Sequence, residues 1–188
     1  MSMISKINPY SEDSRNIAIV NELKKYFKNN ERVIDIGCGN GRISFELKKI
    51  KNIRPFGVDN YIETNSIPFM KTNGEKLHFR NKEFDASLLI DVLHHSNNIK
   101  EILGEASRVS RRVIIKDHFY ETGFQKIRLK FIDYLCNAPF NIPTPFNFLT
   151  LKEWEQLFES LKLKIIKMNT NFKLGKLDSI KHVFFVVR

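Results

Sequence analysis

Four aspartates and a short run of histidines carry the reactive chemistry of this chain. Residues 33–42 read Val-Ile-Asp-Ile-Gly-Cys-Gly-Asn-Gly-Arg, so Asp35 stands two places before a loop built on Gly37, Cys38, Gly39, Asn40 and Gly41. Glycine at every second position lets the backbone turn tightly and lets a ligand lie against main-chain atoms where a Cβ would clash. The dinucleotide fingerprint Gly-x-Gly-x-x-Gly would need glycine at 42, where this chain has arginine. That fingerprint presents a helix N-terminus to a pyrophosphate, whereas an acidic residue just ahead of the loop suits a ligand with an ammonium group. Asp59 closes Phe56-Gly57-Val58-Asp59. A carboxylate there can accept hydrogen bonds from both hydroxyls of a ribose; the plainer role is a helix cap shared with Asn60. Asp91-Val92-Leu93-His94-His95 and Lys116-Asp117-His118 add imidazoles and carboxylates able to take or hold a proton. His94, His95, Asp117 and His118 are therefore the candidate catalytic residues, while His78 and His182 are given no role. No metal site is expected. His94 and His95 are adjacent, which is poor spacing for one helix face, although Asp91 or His118 could join them in three dimensions.

The elements that must position these groups alternate between strand and helix. Apolar periodicity predicts a helix over 11–29 with Ile17, Val20, Leu23, Lys24 and Phe27 on one face, and a strand over 32–36. A helix over 41–50 follows with Ile43, Leu47 and Ile50 aligned, then strands at 53–58, 67–71 and 84–90. Pro68 makes the 67–71 strand an edge or irregular one. A helix over 98–110 leads to a strand at 112–116, which places Asp117 just past its end. A helical stretch then runs into Asn137–Phe146, where three prolines in seven residues oppose regular structure. Thr150 with Glu153 has the spacing of a capping box ahead of a helix at 151–161. Strands at 163–169 and 181–187 finish the pattern. Such alternation predicts an α/β fold with a mostly parallel, Rossmann-like sheet covered on both faces, and a last hairpin that adds an antiparallel strand. In open sheets of this kind ligands bind beyond the carboxyl ends of the strands, where Asp35, Asp59, Asp91 and Asp117 all fall.

The 188 residues suit one domain, 1–188, with 119–161 as a lid or insertion rich in aromatic residues (Phe119, Tyr120, Phe131, Tyr134, Phe140, Phe146, Phe148). These could line an acceptor pocket or pack a lid onto the sheet. The net charge is +10, with 15 basic against 12 acidic residues in 1–98 and 16 against 9 beyond. A basic half suits an acidic partner such as nucleic acid, but scattered lysines are also an ordinary solvated surface. No apolar run reaches the roughly 18–20 residues of a membrane span, and residues 1–6 lack the apolar stretch of a leader. Cys38 and Cys136 lie far apart, and a disulfide at Cys38 would obstruct the loop, so a reducing cytoplasm is expected.

Residues 33–41 resemble motif I of the class I S-adenosylmethionine (SAM)-dependent methyltransferases. The resemblance extends in order through 31–118 and implies a seven-stranded sheet, SAM as cofactor, and S-adenosylhomocysteine as product. It implies that Asp35, the 37–41 loop, Asp59 and Asn60 hold the methionine and ribose parts. Asn73, Gly74 and Glu75 fall where the family recognises adenine, with Asn73 in place of the usual aspartate. Asp91, Val92 and His94 fall in the post-strand-four motif, similar to Asp-Val-Leu-His-His of the small-molecule members. The Asn/Asp-Pro-Pro-Tyr/Phe motif of amino-directed nucleic-acid methyltransferases is missing there; Asn137-Ala138-Pro139-Phe140 lies after the wrong strand. The resemblance therefore implies a small-molecule acceptor. An RNA methyltransferase, a non-catalytic SAM-binding protein and a nucleotide-dependent oxidoreductase are the alternatives.

Overall fold

The computed structural model describes residues 12–140, 143–175 and 178–188. The expectation about a leader at 1–6, and Asn141 and Ile142 of the proline-rich loop, lie outside the described residues.

Strands β1 (Arg32–Ile36), β2 (Arg54–Asp59), β3 (Phe69–Lys71), β4 (Ala86–Ile90), β5 (Val113–His118), β6 (Ile165–Asn169) and β7 (His182–Val187) form one sheet. Their order is β3-β2-β1-β4-β5-β7-β6. The first five pair in parallel, and β7 runs antiparallel to both β5 and β6. The fold is thus the mostly parallel α/β sheet expected from the sequence, with its antiparallel strand at the C-terminal side. Helices α1 (Glu12–Leu23), α2 (Arg42–Lys51), α3 (Ile99–Val109), α4 (Gly123–Asn137) and α5 (Leu151–Ser160) flank it.

Every residue of β4 and β7 is buried, because both faces of the sheet are covered. Ile34, Leu89, Ile115 and Phe185 point into a layer with Leu103 and Ala106 of α3 and Trp154 and Phe158 of α5. Their neighbours Val33, Leu88, Ile114 and Phe184 point the other way, onto Ile19 and Leu23 of α1 and Leu47 of α2. The chain turns from β1 to β2 on one side and later returns to β4 on the other. That reversal opens a crevice at the carboxyl ends of β1 and β4.

Several local expectations shift. Helix α1 ends at Leu23, and its inward face is Asn16, Ile19, Val20 and Leu23; Ile17 is exposed. Ile50 of α2 is likewise exposed, so both helices are rotated relative to the faces read from sequence. β4 begins at Ala86, with Phe84 making only a single bridge to Ser110. β5 runs on to His118 because β7 pairs with it through His118↔His182, which puts Asp117 inside the strand. Residues 138–140 form a 3-10 turn despite Pro139, since an N–H missing near the start of a turn would have no partner anyway. Phe131 and Tyr134, expected to line a pocket or pack a lid, instead lie on the outer face of α4 with Phe124 and Ile127, exposed by 55–76%. The same helix turns Leu129 and Asp133 inward.

The capping box before α5 is formed: Thr150 Oγ1 accepts from the Glu153 N–H at 3.2 Å, and Glu153 accepts from the Thr150 N–H at 2.7 Å. Thr150→Ala is expected to lower the unfolding free energy by about 1 kcal/mol. A urea midpoint that does not move would show that the cap contributes nothing.

Candidate functional site

The three loop glycines all adopt left-handed backbone, with φ of 73° at Gly37, 53° at Gly39 and 72° at Gly41. β1 ends here because its N–H groups turn across to β2: Gly37 and Cys38 both donate to the Val58 carbonyl, at 2.8 and 3.1 Å. Asp59 then fastens the loop from the side, its Oδ2 accepting from the Gly39 N–H at 2.9 Å. Its Oδ1 accepts from the N–H groups of Tyr61 and Ile62. Three of roughly four acceptor positions on the carboxylate are therefore occupied by backbone. The two-handed ribose grip expected of Asp59 would have to displace one of them.

Behind the loop, Asp35 is 3% exposed and its Oδ2 accepts from the Ser44 hydroxyl at 2.6 Å. Burial pushes its pKa up to about 7 from the ordinary 3.8 of an aspartate; the Ser44 bond opposes this and the charge of Asp59 adds to it. The folded chain thus prefers protonated Asp35. That contribution to stability is complete below the unfolded value near 4 and disappears as pH rises through 7. Asp35→Asn imitates the protonated form. It is expected to gain on the wild-type chain between pH 4 and 8, by up to about 4 kcal/mol. Parallel curves of unfolding free energy against pH for the two proteins would refute this.

The crevice beyond the loop is a cleft of about 760 Å³, in the size range of small-molecule sites. Asp35, Gly37, Cys38, Gly39 and Asn40 form its floor on the β1 side. Asp91 directly follows β4, Lys116 and His118 belong to β5, and α4 supplies the far wall through Leu129, Asp133 and Cys136. Of the residues singled out from sequence, Gly41, Asp59, Asn60, Asn73, Gly74, Glu75, Val92 and Asp117 stand outside this lining. Gly41 closes the loop by donating to the Cys38 carbonyl. Asn73 accepts from the Glu75 N–H, and Glu75 in turn holds Asn98 at 2.6 Å. Gly74, with φ of 77°, packs against Ile36, while Val92 packs against Gly37 from the core side.

The three candidate histidines are not equivalent. His94 is 3% exposed, stacks on Phe148 and places Nδ1 2.6 Å from Oδ1 of Asp117. Burial alone would lower its pKa, but Asp117, with Asp133, raises it to about 10, so His94 keeps its proton and is no base near neutrality. Asp117 does not face the cleft; it orients His94 and also accepts from the His118 N–H. Burial, followed by the charge of His94, lowers the pKa of His95. Burial and the nearby Lys116 hold His118 well below the ordinary histidine range. Neutral His118 sets Nε2 3.3 Å from Asp91, which leaves Nδ1 as a buried lone pair without a partner among the described residues.

Asp91 has the densest charge surroundings. It has φ of 55° and meets Lys116 Nζ at 2.6 and 2.8 Å and Arg15 at 2.6 Å. Burial would raise its pKa, but Lys116, His118 and Arg15 hold it well below the usual carboxylate range. Sequence reasoning missed Arg15, Lys116, Asp133, Asp178 and His182, all of which line the cleft. His182, given no role, donates from Nε2 to Asp178 Oδ2 at 2.9 Å and lies with its ring 4.8 Å from that of His118. One signal was available: a lysine embedded in the apolar run Val113-Ile114-Ile115-Lys116 needs a buried partner.

A model of the family described as methionine biosynthesis protein MetW matches residues 17–183. The chain belongs to the MetW family. The MetW-family chain is 30% identical over 165 residues to the uncharacterised protein MJ1123 of Methanocaldococcus jannaschii, covering 80% of this chain and 74% of that one. Its fold matches the methyltransferase chain of a Haloferax volcanii complex with the Trm112 methyltransferase activator. The TM-score there is 0.72 at 14% identity, over 93% of this chain and 90% of that chain. It also matches a SAM-dependent methyltransferase of Methanosarcina mazei, with TM-score 0.64 at 18% identity, over 88% and 95% of the two chains. The resemblance drawn from residues 33–41 is borne out in the fold, which this chain shares with SAM-dependent methyltransferases. No helix among the described residues is long and apolar enough to cross a membrane.

Proposed function

We propose that the chain transfers the methyl group of SAM to a small-molecule acceptor, with residues 119–161 forming the acceptor side of a single catalytic domain. The observation that carries this reading is the glycine loop opening onto a cleft large enough for a cofactor and a modest acceptor together. On this reading the methionine part lies over Gly37 and Gly39, and the ribose lies toward Asp59. The adenine lies toward residues 73–75, where Asn73 can still accept a hydrogen bond. The acceptor enters between His118 and the inner face of α4.

Methyl transfer from a sulfonium is an in-line displacement with a neutral leaving group. Little charge needs stabilising on departure, so catalysis comes mainly from holding the acceptor in line and excluding water. A base is needed only for an acceptor that retains its proton, and His118, neutral and lining the cleft, is the candidate to receive one.

Titration calorimetry with SAM, S-adenosylhomocysteine and NAD tests the cofactor half of the proposal. Micromolar binding of both adenosyl ligands with no heat from NAD is expected. No binding of either adenosyl ligand would remove the proposal. The acceptor half is tested by S-adenosylhomocysteine release with small-molecule pools and with RNA. Turnover on RNA alone would replace the small-molecule reading.

A further inference from the structure

His94 and His95 share more than adjacency. Their Nε2 atoms each lie 3.5 Å from the same oxygen, Oδ1 of Asp133, which reaches in from α4. The ligating atoms of all three residues fall within 4.8 Å of one another. We propose that His94, His95 and Asp133 bind a divalent transition-metal ion of the zinc class.

The hydrogen bonding around the cluster dictates which atoms face inward. His94 Nδ1 points at the Asp117 carboxylate, and His95 Nδ1 points at the Pro143 carbonyl at 3.1 Å. Both partners are acceptors only, so each Nδ1 carries the hydrogen and each Nε2 is left to face Asp133. Histidines that ligate metals are oriented in this way, the second nitrogen donating to a carboxylate or a backbone carbonyl. Asn137 Nδ2 donates to Asp133 Oδ1 at 2.8 Å, so the carboxylate is supported as well.

The spacing fits an ion better than a hydrogen bond. N–H···O bonds mostly measure about 2.7–3.2 Å. Zinc–nitrogen and zinc–oxygen bonds of about 2.0–2.2 Å place neighbouring ligands on a tetrahedron roughly 3.4 Å apart. Asp133 is 9% exposed, and its Oδ2 is buried without a partner among the described residues. Such an orphan is costly unless something positive approaches it. An ion there would sit between His94 Nε2 and Asp133 Oδ1, in place of a hydrogen. The His95 side chain, 19% exposed, provides a way in from the cleft. A second grouping, Asp91 with His94 and Asp117, is also compact, but Lys116 and Arg15 already neutralise Asp91.

Sequence spacing argued against this site because neighbouring histidines do not share a helix face. Residues 93–95 form a 3-10 turn, and the third ligand comes from a different helix, so that objection does not apply. Three protein ligands leave one position open toward the cleft, as in catalytic zinc sites. On the methyl-transfer reading, an acceptor oxygen or nitrogen held at that position would lose its proton more easily. Metal binding itself is measured without cofactor or acceptor, so the two readings fail separately.

The test is to strip the full chain with a chelator and titrate it with Zn²⁺ and with Co²⁺. One equivalent of each is expected to bind, Co²⁺ giving the intense visible absorption of a four-coordinate site. His95→Gln and Asp133→Asn, each checked for native circular dichroism, are expected to weaken binding at least tenfold. His78→Ala, away from the cluster, is expected to leave it unchanged. No binding to the wild-type chain would overturn the proposal, as would binding that survives both ligand substitutions in folded protein.

Discussion

Gly39→Val is expected to leave a folded protein that no longer binds SAM. A Cβ built on Gly39 meets no atom of the described residues within 4 Å apart from its own chain neighbours, so a side chain there projects into the space that the loop offers to a ligand. At φ of 53° valine carries backbone strain of about 1–3 kcal/mol, a cost most domains survive. Calorimetry should show at least a hundredfold loss of SAM affinity, about 2.7 kcal/mol, alongside native circular dichroism. Gly37→Ala is the contrasting variant. Its Cβ would run into Val92, which is packed on the core beneath the loop, so that substitution is expected to damage the fold itself. A folded Gly39→Val protein with unchanged SAM affinity would show that the cofactor lies elsewhere.

Asp91→Ala is expected to be the most destabilising single change at the cleft. Lys116 has no exposed side-chain surface and Asp91 is its nearest anion, with Arg15 sharing the same carboxylate. Removing one partner of a buried pair leaves the other charge without compensation, at a cost of about 3–5 kcal/mol. Burial already lowers the pKa of Lys116 even with Asp91 present. Without Asp91 the lysine should lose its proton more readily, so the variant should become more stable as pH rises, the reverse of the Asp35 effect. The double variant Asp91→Ala, Lys116→Met should recover much of the loss. Denaturant midpoints measured at pH 7 and pH 10 decide the matter. A single-variant loss below about 1 kcal/mol would mean that water reaches Lys116.

The parts of this molecule legible in the sequence are those set by local chemistry. Gly37, Gly39 and Gly41 announce their loop because no other residue takes that backbone cheaply, and Thr150 with Glu153 marks the start of α5 within four residues. Strands β1, β4 and β7 were marked by largely apolar segments, because both faces of the sheet are covered. Helix rotation was less legible: Ile17 and Ile50 looked inward by spacing yet point outward, while Asn16 and Ser44 are buried. What the sequence hid are contacts between distant elements. Asp133 reaches the histidines only because α4 lies across the strand ends. His118 and His182 become neighbours only because β7 extends the pairing of β5 beyond the apolar run. No local pattern encodes either juxtaposition.

The position of β7 also has a consequence for how the molecule assembles. It follows every other strand in sequence, yet it lies inside the sheet, between β5 and β6. Until it inserts, β5 presents a bare edge, Asp117 and His118 lack the strand that covers them, and β6 has no neighbour in the sheet. Loop closure of this kind is paid for before its contacts repay it. The complete cleft therefore requires the chain's final strand: a chain ending short of residue 182 is expected to lack the His118–His182 side of the pocket.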